Sequence, residues 1–129
     1  MANTDIFGLS SIGQIAVNAH DLDRAVAFYR DKLGMKHLFT VPPHMAFFGC
    51  GDVRLMLSLP EKPEFDHASS IIYFKVADIQ QATNILAERG VQIEAQPALI
   101  ANMGSYDLWM AGFRDSENNL LALMSEVAH

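Results

Sequence analysis

The sequence has a single cysteine, Cys50, among its 129 residues, so it cannot form an internal disulfide. Such cysteine usage is typical of reducing compartments, and we expect a cytoplasmic protein. Basic residues are also scarce: 9 Lys and Arg stand against 15 Asp and Glu, for a formal net charge of −6. An acidic chain lacks the basic surface that nucleic acid and anionic membranes select, so we expect neither as a partner.

Long apolar runs are missing too, and no stretch of the sequence is apolar for the roughly 20 residues that a membrane-spanning helix needs. The start, MANTDIFGLSS, lacks the basic residues and apolar run of a secretory signal. These absences predict a soluble protein. Apolar residues nevertheless make up 50% of the chain, which suffices for the core of one compact domain over residues 1–129.

An internal repeat organises the rest of the chain. Residues 14–33 and 71–89 both show alternating apolar residues, an Asp, and then apolar residues at helical spacing. Asp21 and Asp78 stand where a carboxylate can accept the free N–H groups of a first helical turn. Gly34 and Gly90 stand where a left-handed residue would end each helix. The repeat predicts two copies of a strand followed by a helix.

Three further strands are predicted after each helix, so the order is β-α-β-β-β in both halves. The modules are predicted at 12–59 and 71–126, with a linker rich in proline and charge at 60–70. The predicted strands are 12–18, 36–40, 44–48 and 53–59 in the first module, and 71–76, 91–95, 107–114 and 120–124 in the second. Residues 96–105 are predicted to form a loop, and 115–118 a four-residue hairpin turn.

Three phrases of the sequence resemble one family: DLDRAVAFYRDKLGM, GDVRLMLS and FRDSENNLLALMSE are similar to the vicinal oxygen chelate superfamily. That superfamily includes glyoxalase I, extradiol dioxygenases, methylmalonyl-CoA epimerases and bleomycin-type resistance proteins. The resemblance covers residues 12–126. It implies an α+β fold in which the two modules form curved mixed sheets around a cup, the glyoxalase/bleomycin resistance fold. It also implies a homodimer, because two-module members commonly pair.

The same resemblance implies where a metal would sit. It places the metal ligands of the enzymes at Gln14, Met56, Ile71 and Ala122 of this sequence. The last two have no donor atom, and the Met56 thioether is too soft for Mg²⁺, Fe²⁺ or Zn²⁺. Gln14 alone cannot hold a divalent cation, since a catalytic zinc takes three protein ligands. We therefore predict no metal cofactor, and we keep His67 of the linker open as a displaced ligand.

Strand alternation, counted from those positions, predicts which side chains face the cup. The candidate ligand-binding residues are Gln14, Asn18, Met45, Phe47, Arg54, Met56, Tyr73, Trp109 and Met124. A mostly apolar set with a few polar groups is typical of small-molecule pockets, and methionines adapt to irregular ligands. The alternative is that the apolar members only fill the core. An inward Arg54 predicts either a clamp for a ligand anion or a salt bridge at the rim.

No catalytic constellation accompanies this cup: the sequence has no nucleophile motif, no phosphate-binding loop and no pair of carboxylates at inward positions. We expect a metal-independent small-molecule-binding protein of the glyoxalase/bleomycin resistance type, which binds an apolar or aromatic ligand in the cup between the modules. The alternative is a glyoxalase-, epimerase- or dioxygenase-like enzyme, a lyase, isomerase or oxygenase with a displaced metal site. A third is a structural partner protein whose own side chains fill the cup.

Overall fold

Two four-stranded mixed sheets, each carrying one helix, make up the computed structural model, which describes residues 7–129. The first module contains β1 (Gln14–Asn18), α1 (Leu22–Ala27), β2 (Lys36–Val41), β3 (Met45–Cys50) and β4 (Val53–Ser58). The second contains β5 (Tyr73–Lys75), α2 (Ile79–Glu88), β6 (Gln92–Asn102), β7 (Tyr106–Arg114) and β8 (Leu120–Ala128). The predicted α+β class and the two β-α-β-β-β modules are confirmed. Residues 1–6 of the sequence lie outside the described residues.

Both sheets have the same topology. Their strand orders are β1-β4-β3-β2 and β5-β8-β7-β6, with the first strand of each module parallel to the last. One face of each sheet packs with the helices in a common core that includes Tyr29, Phe48 and Phe113. The other face carries the residues of the predicted cup, with the exception of Trp109. In residues 7–129 no helix is both long and apolar enough to cross a membrane.

The predicted helix ends are confirmed at both copies of the repeat. The Asp21 carboxylate accepts a hydrogen bond from the backbone N–H of Arg24 at 3.0 Å, and Asp78 caps α2 in the same way. Gly34 has φ +70° and Gly90 has φ +84°, the left-handed conformation that glycine adopts without a steric penalty. One difference is that α1 has six residues and continues as a π-helical turn over Phe28–Lys32.

The predicted loop at 96–105 is wrong in its first part, because β6 runs as far as Asn102. This strand is the edge of its sheet and pairs with β7 through three register shifts, which lie between Ile93 and Ala101. Pro97 lies within β6, which is possible because a proline is tolerated in an edge strand, where its missing N–H removes no bond of an interior ladder. Bulges and an edge position are tertiary features that strand propensity does not reveal.

The predicted face of Trp109 is also wrong. Arg114 pairs with Leu120, so the hairpin loop is 115–119 and has five residues where four were predicted. The Asp115 carboxylate fixes this loop, since its Oδ1 accepts the backbone N–H groups of Glu117 and Asn119, both at 2.8 Å. A shift of one residue moves every side chain of a strand to the opposite face. Trp109 therefore lies on the helix side, against the core.

The same loop ties the second module to the first. The buried Tyr29 hydroxyl donates to Asp115 Oδ2 at 2.7 Å, across the two modules. Glu117 accepts the backbone N–H groups of His20 and Asp21 at 2.8 and 3.0 Å and the Arg24 Nε–H at 2.8 Å. Burial alone raises the pKa of Glu117, but these hydrogen bonds outweigh it and lower the pKa from 4.5 to about 2. The junction is thus held by a carboxylate that stays ionised.

Candidate functional site

The first module presents eight side chains of β1, β3 and β4 on the face away from the helices. The strand register places them together: Gln14, Ala16, Asn18, Met45, Phe47, Arg54, Met56 and Ser58. The neighbouring residues of the same strands face the core instead, where Val17, Leu55 and Leu57 are at most 2% exposed. This agrees with the predicted alternation, and it holds because the Gly51-Asp52 turn keeps β3 and β4 in an even register.

Arg54 is the centre of the contacts on this face. Its Nε–H donates to Gln14 Oε1 at 2.8 Å, and Gln14 Nε2 lies 3.6 Å from the Met56 sulfur. The guanidinium lies over the Phe47 ring, with Cζ 5.0 Å from the ring centroid. Phe39 packs against the same ring, with 4.7 Å between the centroids and 33° between the ring planes. Phe47 is only 8% exposed as a result, whereas Phe39 remains 48% exposed.

Among residues 7–129, no carboxylate forms an ion pair with Arg54. In residues 7–129, the arginines that form ion pairs are Arg24, Arg30 and Arg114. The predicted salt bridge at the rim is therefore absent from the described part of the chain. Arg54 is exposed, and its Nη groups have no hydrogen-bond acceptor there. The Phe47 ring and the Gln14 side-chain amide hold Arg54 in this position. Both groups are neutral, so neither compensates the charge of the guanidinium.

The linker closes one side of this face and forms a cavity of about 440 Å³ with it. Met45 and Met56 line the cavity from the sheet, and Phe65 and His67 from the linker. Asn18 holds the linker in place: its side-chain amide donates to the His67 carbonyl, and its backbone N–H donates to Ser69 Oγ at 3.0 Å. The predicted polar group Asn18 is thus an anchor of the cavity wall.

The second module presents its own open face, with a cavity of about 470 Å³. The register places Tyr73 opposite Ala122, and Met124 opposite both Lys75 and Met110. Tyr73 is 47% exposed, while Met124 is half-buried. The cations here are paired, since Lys75 Nζ lies 2.8 Å from Glu126 and Arg114 Nε lies 2.6 Å from Glu94.

Three residues on this second face were missed from the sequence: Ile100, Met110 and Arg114. Met110 and Arg114 lie on the open face, where a four-residue hairpin loop would have placed Trp109 and the alternate residues of β7 instead. The signal that could have found them is the Asp115…Asn119 spacing, since a side chain that bonds two later N–H groups favours a wider loop. Ile100 was missed because its segment was predicted to be a loop.

The residues at the family's metal position do not fit a divalent metal. Gln14 Oε1, the one oxygen donor of the four positions, already accepts a hydrogen bond from Arg54. A divalent ion on that oxygen would lie close to the guanidinium charge, which opposes its binding. Within residues 7–129, no three His, Cys, Asp or Glu side chains are grouped so that they could hold a metal ion.

A polar cavity of about 500 Å³ lies where the linker meets both modules, and it is lined by His67, the candidate for a displaced metal ligand, and by His20. His20 Nε2 lies 2.8 Å from Asp66 Oδ1, while His67 Nδ1 lies 3.0 Å from the carbonyl of Ala68. Glu117 also lines this cavity, but its oxygens are engaged by Arg24 and by backbone N–H groups. The arrangement leaves two side chains in contact, His20 and Asp66, which is fewer than a metal centre needs.

Comparisons with known proteins agree with this architecture. The family model of the Glyoxalase/Bleomycin resistance protein/Dioxygenase superfamily matches residues 11–123. A comparison with curated proteins gives no match. The solved structure of lactoylglutathione lyase from Agrobacterium tumefaciens is similar with a TM-score of 0.75 and 23% identity, over 91% of this chain and 94% of that one.

Two other solved structures of this superfamily show the same likeness. The one from Sphaerobacter thermophilus has a TM-score of 0.74 and 22% identity, and covers 92% of this chain and 98% of that chain. The one from Alicyclobacillus acidocaldarius has a TM-score of 0.71 and 20% identity, with 90% and 91% covered. At such identities the likeness shows the fold alone, since one fold supports many activities.

Proposed function

We propose, since the chain belongs to the glyoxalase/bleomycin resistance protein/dioxygenase superfamily, that it is a metal-independent small-molecule-binding protein. It binds an apolar or aromatic ligand in the cup. The residues proposed to contact the ligand are Gln14, Asn18, Met45, Phe47, Arg54, Met56, Tyr73 and Met124. Trp109 is no longer among them, because it faces the helices.

The observation that carries the proposal is the hydrogen bond from Arg54 to Gln14. It commits the one oxygen donor of the family's metal position to a guanidinium at 2.8 Å. Beside it lie the apolar surfaces of Phe39 and Phe47 and the cavity lined by Met45 and Met56. Apolar surface with a few fixed polar groups supports ligand binding, whereas Lewis-acid catalysis requires a metal that this donor set does not favour.

A homodimer is part of the proposal. The open faces of the two sheets expose Val41, Ile71, Tyr73 and Ile100, each between 44 and 54%. A surface of this kind marks an interaction site in a single-domain protein. A second copy placed face to face would cover this surface and would close the cavities on the open faces of the two sheets. The single cysteine supports the further prediction of a cytoplasmic location.

Metal content is the direct test of metal independence. The protein is purified without chelator, incubated separately with Zn²⁺, Ni²⁺, Mn²⁺ and Fe²⁺, desalted, and analysed by inductively coupled plasma mass spectrometry. We expect substoichiometric metal in every case, and no change in thermal unfolding. In parallel, a thermal-shift screen of aromatic acids, aromatic amides and cationic drugs is expected to find stabilising ligands.

Stoichiometric retention of one of these ions contradicts the proposal, and two variants then locate the ion. If His20→Ala loses it, the displaced-site enzyme is the correct function, since His20 and Asp66 are in contact at the junction. If Gln14→Ala loses it instead, the ion occupies the family's position after displacing Arg54.

A further inference from the structure

Arg54 is a cation on the open face of the first module. The protein carries a formal charge of −6, and on the open face of the second module Lys75 and Arg114 are paired with carboxylates. Arg54 has no such partner in residues 7–129, and its Nε–H donates to Gln14, one of the positions at which the resemblance places a metal ligand. Arg54 thus places a positive charge beside Gln14, at a site whose side chains do not fit a divalent metal ion.

The geometry also fixes which part of the guanidinium is free. Nε donates to Gln14, and the guanidinium carbon lies 5.0 Å from the Phe47 ring centroid. The two Nη groups therefore remain as the donating edge. Two parallel N–H donors match the two oxygens of one carboxylate, which makes a bidentate, charge-assisted contact.

The surroundings indicate what the carboxylate is attached to. Phe39 and Phe47 form a tilted aromatic pair at 4.7 Å, and Phe39 keeps about half of its surface free to stack on a ligand ring. Met56 connects this pair to the cavity under the linker, since it contacts Gln14 and also lines that cavity. The linker end of the cavity carries Glu61, which repels an anion.

We propose that the cup of the first module binds aromatic carboxylates, with the carboxylate on the Nη edge of Arg54 and the ring on Phe39 and Phe47. The proposal rests on the proposed function and names its ligand class. One guanidinium balances one negative charge, so monoanions are favoured over phosphate dianions, whose sites gather several donors. The positive charge that the family's enzymes take from a metal is here part of the protein.

The test is isothermal titration calorimetry with two probes of equal shape, 2-naphthoate and 2-naphthamide. Wild-type protein is expected to bind the naphthoate about tenfold more tightly, as one hydrogen-bonded charge contact predicts. Arg54→Gln is expected to weaken naphthoate binding about tenfold and naphthamide binding by much less, because the neutral amide loses no charge-assisted contact. Arg54→Lys keeps the charge but loses the two parallel N–H donors, so it should retain part of the preference for naphthoate over naphthamide.

Arg30→Gln is the matched control, because it removes the same charge from an exposed arginine whose partner is Asp31. It should leave both affinities unchanged. Equal loss of naphthoate binding in Arg30→Gln and Arg54→Gln would show that net charge is responsible and would overturn the inference. Should Arg54→Gln fail to fold, the wild-type ratio of the two probes decides alone.

The outcomes separate this inference from the proposed function. Equal binding of the two probes overturns the carboxylate class, while apolar capture in a metal-free cup stands. Binding of neither probe at millimolar concentration, in a protein that retains metal, overturns both. A naphthoate preference that Arg54→Gln abolishes supports both.

Discussion

Glu117 lies at the junction of the two modules with its side chain only 1% exposed. Its carboxylate accepts hydrogen bonds from the backbone N–H groups of His20 and Asp21, just before α1, and from the Arg24 guanidinium. Glu117 of the second module thus acts as an anion at the N-terminus of a helix of the first module. An ionised group in such a position stabilises the fold only while it stays charged. Its low pKa therefore implies a defined dependence of stability on pH.

Glu117→Gln is expected to lower the free energy of unfolding by about 2 kcal/mol at pH 7, because a buried charged acceptor is lost. The folded-state pKa of Glu117 is about 2 against an ordinary 4.5. The stabilisation is thus present above about pH 5 and declines as the pH falls toward 2. Urea unfolding at several pH values should show that the difference in free energy of unfolding between wild type and variant becomes smaller over that range.

Glu126→Gln provides the comparison, since Glu126 pairs with the exposed Lys75. An exposed pair of this kind contributes about 0–1 kcal/mol, so this variant should change stability little. If Glu117→Gln lowers the free energy of unfolding by the same amount at pH 7 and at pH 3, ionisation of Glu117 does not stabilise the fold.

At the scale of elements, the ends of the two helices are the most regular feature. Each begins at an Asp cap and is followed by a glycine with positive φ. Space is not what selects these glycines: a Cβ on Gly90 would lie 3.4 Å from Lys32 Nζ, and one on Gly34 would lie 3.7 Å from Arg89 Nη1, which are ordinary contact distances to flexible side-chain ends. The positive φ is therefore the reason that both helix ends need glycine.

Gly90→Ala is expected to destabilise the protein by about 1 kcal/mol, because an L side chain is strained at φ +84°. Gly13→Ala is the control: its φ lies outside the left-handed region, and an added Cβ meets nothing within 4 Å. Midpoints of urea unfolding should separate the two variants. Equal midpoints would contradict the role assigned to the left-handed helix end.

At the scale of the whole molecule, the open faces of both sheets lie on the side away from the common core. The proposed dimer uses those faces, and β6 allows a sharp test of it. Ile100 and Leu99 are neighbours with the same exposure, 54%. Ile100 lines the cavity of the open face, whereas Leu99 pairs with Trp109 on the helix side.

Ile100→Asp is expected to weaken dimerisation at least about tenfold, because a charge without a partner is placed in a buried apolar contact. Leu99→Asp should leave the dimer intact. Sedimentation velocity at micromolar concentration measures both. A monomeric wild-type protein, or equal weakening by the two variants, would count against the face-to-face dimer.

Much of the architecture was predictable because its signals are local. The Asp caps, the terminal glycines and the change from period-two to helical spacing depend on neighbours within one turn or one strand, and the repeat showed them twice. The inward face of the first module followed from alternation, since the Gly51-Asp52 turn preserves the register from Phe47 to Met56.

Tertiary structure decided the rest. Whether Asn119 belongs to the hairpin loop or to β8 depends on its bonds to Asp115 and to the Asn18 carbonyl of the other module, and that choice turned Trp109 toward the core. The orientation of Arg54 likewise depends on Gln14 and Phe47, which lie on other strands. The sequence by itself determined the two modules and their helix ends, because those follow from contacts within a few residues. Which faces meet, and where the free positive charge points, follow from contacts between distant residues, which only the folded chain brings together.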